Sequence, residues 1–315
     1  MKLGFLFAGQ GSQHPGMGAD LYEAYPAFRT AFDAAELDFD LKSLCFSDPE
    51  GLLNQTQYTQ PCMVAFAAGL TAVLKEKGIV PDVAAGLSLG EYSALHAAGV
   101  FDVKTAVELA AYRGAAMAKA AQGVNSAMVA VLGLDREPLQ GACEVASAKG
   151  VVVIANYNCP GQLVIGGEKA AVEEAARLAK EAGAKRCMPL KVSGPFHTPL
   201  MRPAGEALRV RLGQIALAKP EISVIFNCLG DVKSEADSIQ ELLVRQVQSS
   251  VYMEDSIRKM AEMGVDALIE IGPGKALSGF ARRVVPELPV FAVETVQDVE
   301  ALTANLSALE KEKNA

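Results

Sequence analysis

The chain is predicted to be an α/β protein whose parallel sheet is interrupted by a smaller unit, and three observations predict it. Short apolar runs alternate with longer helical patterns at both ends of the chain. The middle follows the order β-α-β-β-α-β, and a Gly-x-Ser-x-Gly stands where a strand-like run gives way to a helix-like one. Leu3 to Ala8 is the first strand, followed by helical stretches over 19–37 and 60–76 and a strand over 80–87. A helix over 105–121 stops at Gly123. The central unit then has strands over 127–132, 151–155, 162–165 and 185–192, with helices over 136–148 and 168–182. That is a ferredoxin-like order of about sixty-five residues. In its second helix Val172, Ala175, Ala176, Ala179 and Ala182 form a small-residue face suited to lying close on a sheet. Alternation resumes with helices over 201–212, 238–247, 253–263 and 275–284, strands over 222–226, 267–271 and 289–293, and a surface helix over 299–311.

At 315 residues the chain exceeds the usual size of one core. The expected division is a large domain over 1–125, a small ferredoxin-like domain over 126–193, and the rest of the large domain, with a C-terminal helix, over 194–315. A formal charge of -8 without any basic cluster argues against a nucleic-acid partner. No run approaches eighteen apolar residues, so no membrane association is expected. The opening MKLGFLFAG breaks into Gln10, Gly11, Ser12 and Gln13 too early for a signal peptide, which makes the cytoplasm the expected location. Six scattered cysteines and three isolated histidines lack the spacing of a metal site or disulfide framework, so no metal is expected.

The most informative stretch is GLSLGE, 86–91. A sharp strand-to-helix turn leaves no room for side chains two positions either side of its apex, which asks for glycine at Gly86 and Gly90 and holds Ser88 out. Ser88 is then either a nucleophile beside amides that stabilise developing negative charge or simply the cap of a helix. A nucleophile needs a base. His96, eight positions along the same helix, would be roughly 12 Å away at 1.5 Å per residue, too far for direct transfer. His14, in the glycine-rich 9–18 loop, suits a site or an exposed loop equally. His197 lies in a segment fixed by Pro195 and Pro199 and is the base by elimination, with a surface histidine as the alternative. The 9–18 loop permits close backbone approach but lacks a phosphate-binding lysine, and IGPGKAL at 271–277 is either an anion loop or a strand-to-helix turn.

Five motifs in order, FAGQGSQ, GLSLGEYSAL, YRGAAM, GPFHTPLM and IEIGPGKAL, make the chain resemble the malonyl-CoA:acyl carrier protein transacylases, from Met1 to about Val293. The resemblance implies an α/β-hydrolase-like large domain with a parallel sheet carrying an inserted ferredoxin-like domain. It implies an acyltransferase that moves malonyl from malonyl-CoA to the phosphopantetheine thiol of acyl carrier protein through a malonyl-serine ester, with no bound cofactor and acting as a monomer. By resemblance Ser88 is the nucleophile, His197 its base, and Gln246 the residue whose main-chain carbonyl orients the histidine. Gln10 and Leu89 supply the oxyanion-hole amides, and Arg113 grips the malonyl carboxylate, as a planar guanidinium can. Asn156 and Asn158 are candidate cleft-lining groups without assigned roles. Phe196 narrows the space beside the acyl α-carbon, which suits malonyl better than a branched unit.

The chain departs from the family pattern at Leu87, Ala8, Ser250 and Met253, where histidine, proline, proline and tryptophan are usual. None of these removes a catalytic group. They leave open the choice between fatty acid synthesis and a polyketide assembly line served in trans. A serine hydrolase or thioesterase would share the elbow and base without needing Arg113, and a catalytically silent carrier-protein-binding module would need neither Ser88 nor His197.

Overall fold

The computed structural model describes residues 1–313; Asn314 and Ala315 lie outside the described residues. In chain order β1 (Leu3–Phe7) is followed by α1 (Ala19–Ala24), α2 (Pro26–Phe32), α3 (Leu41–Phe46) and α4 (Thr56–Glu76). Then come β2 (Val83–Gly86), α5 (Gly90–Ala97), α6 (Val103–Ala121), β3 (Ser126–Leu132) and α7 (Arg136–Ala146). The chain continues through β4 (Val152–Cys159), β5 (Gln162–Glu168), α8 (Lys169–Glu181), β6 (Arg186–Pro189) and α9 (Arg202–Leu212). Next are β7 (Ser223–Phe226), β8 (Asp231–Val232), α10 (Ile239–Gln246), β9 (Val251–Tyr252) and α11 (Met253–Glu262). Last are β10 (Ala267–Ile271), α12 (Ala276–Val284), β11 (Val290–Val293) and α13 (Val296–Lys313).

Two compact units result. The first comprises Met1–Ala111, Leu217–Ile225 and the chain from Met260 onward; the second comprises Tyr112–Ala216 and Phe226–Lys259. In the first unit five strands run in the order β11-β10-β1-β2-β7, every neighbouring pair parallel. Phe5, Leu6 and Phe7 on the central β1 are fully buried, as a parallel strand covered on both faces requires. This centre carries the loops that leave β1, β2 and β10.

In the second unit the order is β6-β3-β5-β4-β9. β3 pairs antiparallel with β5 and β6, and β4 with β5, but β9 joins β4 in parallel, Asn156 opposite Val251 and Tyr157 opposite Tyr252. Helices α7 and α8 cover this sheet through a core that includes Val131, Leu139, Ile154, Ile165, Val172, Ala175 and Ala179. Small residues at the last two positions let α8 lie close.

The expectation of an α/β-hydrolase-like domain carrying a ferredoxin-like insert is therefore corrected. The fold is a two-domain α/β fold in which the second unit draws on two separate stretches and closes its sheet with a fifth, parallel strand, so the sheet is mixed. β9 is two residues long, too short to show periodicity, and its pairing lies almost a hundred residues away in the chain. The helix expected over 19–37 is also broken. Tyr25 is extended (φ -118°, ψ 114°), as the residue before Pro26 prefers, and a separate α3 follows with Asp40 capping it through the Ser43 N–H.

Candidate active site

The first unit supplies the serine elbow. Leu87 follows β2 and donates its N–H to Phe7 O at 3.0 Å, Ser88 takes φ 54°, and α5 begins at Gly90. A Cβ on Gly86 would stand 2.0 Å from the Gly90 carbonyl carbon, and one on Gly90 would stand 2.2 Å from Phe7 O. Both positions must be glycine. A left-handed serine costs about 1–3 kcal/mol, a strain that the surrounding structure sustains. The glycine-rich 9–18 loop lies against this turn, since a Cβ on Gly9 would come within 2.6 Å of Leu87 O. Among the described residues neither the Gln10 N–H nor the Leu89 N–H donates to a protein acceptor. The Gln10 side chain is held separately, its Nε2 donating to Thr56 Oγ1 at 3.1 Å.

The second unit supplies a buried histidine, arginine and glutamine. His197 is 4% exposed, sits at φ 60°, and donates Nδ1–H to the Gln246 carbonyl at 2.9 Å. A carbonyl only accepts, so this bond fixes the tautomer and leaves the Nε2 lone pair as the basic site. Burial first, and then the charge of Arg113, push the imidazole down to about 4. His197 is thus neutral near pH 7. Arg113 is fully buried and donates Nη2–H to Gln246 Oε1 at 2.9 Å. One residue therefore holds the histidine with its main chain and the arginine with its side chain.

The acyl transferase domain model matches residues 4–302. The chain belongs to that family. It is 44% identical to the malonyl CoA-acyl carrier protein transacylase of Bacillus subtilis over 316 aligned residues, covering 99% of this chain and 98% of that one. The crystal structure of malonyl CoA-acyl carrier protein transacylase from Clostridium perfringens superposes with a TM-score of 0.96, at 41% identity and with both chains fully covered. A malonyl-transacylase in complex with a holo type II polyketide synthase acyl-carrier protein superposes at 0.93, with 40% identity over 97% of this chain and 100% of that one. The two-domain α/β architecture is that of the acyltransferases, and the chain is a malonyl-CoA:acyl carrier protein transacylase-type enzyme.

Within this acyltransferase the residues singled out in the sequence fall into two groups. Ser88, Gln10 and Leu89 stand in the first unit; His197, Gln246, Arg113, Asn156, Asn158 and Phe196 stand in the second. Register shifts in β4 between Ile154 and Asn156 and between Tyr157 and Cys159 interrupt the strand around the two asparagines. Asn158 is 7% exposed, and its Oδ1 has no hydrogen-bond partner among the described residues. Phe196 is buried. Ser250, at a position where the family has proline, donates its Oγ–H to Ile154 O at 2.7 Å. His96 is engaged with Phe101 O at 3.1 Å, and its pKa is lowered by burial. No group of three or more His, Cys, Asp or Glu able to hold a metal occurs among the described residues. Sequence reasoning missed the Gln246 side-chain bond to Arg113, for which two residues 133 positions apart give no local signal.

Proposed function

We propose that the chain transfers the malonyl group of malonyl-CoA to the phosphopantetheine thiol of an acyl carrier protein, with Ser88 carrying the acyl group between the two thiols. Ser88 Oγ attacks the thioester carbonyl and gives its proton to His197 Nε2. The unspent amides of Gln10 and Leu89 donate to the oxyanion. Collapse expels the coenzyme A thiolate, which takes the proton from His197, and a malonyl-serine ester remains. The carrier-protein thiol then attacks that ester, His197 taking the thiol proton and returning it to Ser88. Arg113 holds the free carboxylate of the malonyl group in both halves.

The observation that carries this reading is the buried guanidinium bonded to the same glutamine that fixes the base. A hydrolase of neutral esters has no use for a buried cation beside its base, where the charge makes the base weaker. No helix among the described residues is long and apolar enough to cross a membrane, and we assign the reaction to the cytoplasm. Intact-mass spectrometry after mixing with malonyl-CoA should show a gain of about 86 Da, the mass of one malonyl ester. The gain should map to the Ser88 peptide and vanish in Ser88→Ala. An unmodified wild type, or an adduct that persists in Ser88→Ala, would refute the reading.

A further inference from the structure

The glycine-rich 9–18 loop is tied down at four points along its length. Gln10 Nε2 donates to Thr56 Oγ1 at 3.1 Å, Gln13 Nε2 donates to Asn54 Oδ1 at 2.8 Å, and the Gly16 N–H donates to Cys45 O at 2.8 Å. The fourth tie is ionic. His14 Nε2 meets Glu294 Oε1 at 2.5 Å, and the other oxygen of that carboxylate accepts the Gly274 N–H at 2.9 Å. Glu294 lies between β11 and α13, so a single carboxylate links the loop after β1 to the loop after β10. It is itself fixed, because its own N–H donates to Asp298 Oδ2 at 3.1 Å.

The histidine is wired for its charged form. Its Nδ1 faces Pro15 O at 3.0 Å while its Nε2 faces the carboxylate, and only imidazolium donates from both nitrogens. The Glu294 hydrogen bond, then the Pro15 bond, raise the pKa of His14. Glu294 is the charged group that faces the ring. Asp298 and Asp20 are engaged nearby on the Thr295 and Val296 backbone amides, and Lys275 follows Gly274. An exposed ion pair contributes little stability by itself, and the His14 side chain is 50% exposed. The significance of this pair is positional: the loop it anchors presents the Gln10 N–H.

We propose that His14 and Glu294 are positioning residues for the acylation step, their ion pair holding the 9–18 loop so that the Gln10 amide meets the developing oxyanion. The proposal rests on the role assigned to Gln10 above. Its pH dependence has a definite sign. The pair is intact below the raised pKa of His14 and is lost as pH rises through it, so acylation should decline on the alkaline side, a limb opposite to the one set by His197.

The test is single-turnover acylation of Ser88 by malonyl-CoA from about pH 5 to pH 9 in wild type, Glu294→Gln and His14→Gln. Glu294→Gln keeps an acceptor for Gly274 but loses the charge. Its acylation rate constant should fall about tenfold at pH 7 with the malonyl-CoA concentration dependence changed less than twofold, less than the hundredfold that a 1 Å misplacement can cost. Glutamine at position 14 can donate to Glu294 but carries no charge at any pH. His14→Gln should therefore run about tenfold below wild type at pH 6, as Glu294→Gln does, and show no alkaline limb. An alkaline limb that persists in His14→Gln would overturn the proposal, whether or not Glu294→Gln folds. Wild-type rates at every pH in both variants would overturn it too. A wild type that forms no malonyl-serine ester would instead overturn the function assigned to the site.

Discussion

Arg113 is fully buried, and a guanidinium taken out of water must be compensated by partners or by a ligand charge. Gln246 Oε1 is one such partner, and in the proposed reaction the malonyl carboxylate supplies a counter-charge. Removal of Arg113 should therefore separate substrates that carry a second carboxylate from those that do not. In Arg113→Ala, kcat/KM for malonyl-CoA should fall about 30- to 5,000-fold, a loss of about 2–5 kcal/mol in transition-state stabilisation, while acetyl-CoA should lose little or gain. Equal proportional losses would make the arginine structural. The same variant removes a positive charge from beside His197, whose pKa should rise from about 4 toward the ordinary 6.5. A base works when neutral, so the acid limb of kcat/KM should move to higher pH in the variant. For stability the sign is the same: a lowered folded pKa contributes above 6.5, and that contribution disappears as pH falls through about 4. At this scale Ser88 and His197 stand out as candidates in the sequence itself, because side chains carry their chemistry, whereas Arg113 is named only through the family resemblance. The Gln246 carbonyl could not be found without the family resemblance, since a main-chain acceptor leaves no mark on residue type.

The serine elbow is the element whose geometry the sequence states most directly. Two glycines bracket Ser88, and both are needed because an added Cβ would overlap backbone, at 2.0 Å for Gly86 and 2.2 Å for Gly90. Gly86→Ala should destabilise the protein by about 3 kcal/mol or more, as severe overpacking against backbone does. Gly141→Ala is the control. That glycine lies inside α7, is exposed, and has nothing within 4 Å of an added Cβ, so the substitution should stabilise by up to about 1 kcal/mol. Urea unfolding of the two variants checks both; a Gly86→Ala protein as stable as wild type would contradict the packing described. Other elements were hidden for physical reasons. Pro61 near the start of α4 masks a helix that begins at Thr56, and β9 owes its existence to pairing with β4 rather than to its own two residues.

At the scale of the molecule, the strands near both ends of the chain come together in one sheet, β10 and β11 on one side of β1 and β2 and β7 on the other. The alternation of strands and helices was legible, whereas the composition of the second unit was not: it depends on contacts between Tyr112–Ala216 and Phe226–Lys259, and no local pattern announces them. The chain as a whole carries a charge of -8 and has relatives named as transacylases across its full length. Its central claimed activity is transfer, as distinct from hydrolysis. The most direct measurement isolates the malonyl-enzyme, mixes it with holo-acyl carrier protein or with buffer alone, and follows the acyl group. The account predicts that the malonyl group leaves Ser88 for the carrier-protein thiol much faster than it is lost to water. Release as free malonate at the same rate with and without the carrier protein would contradict it.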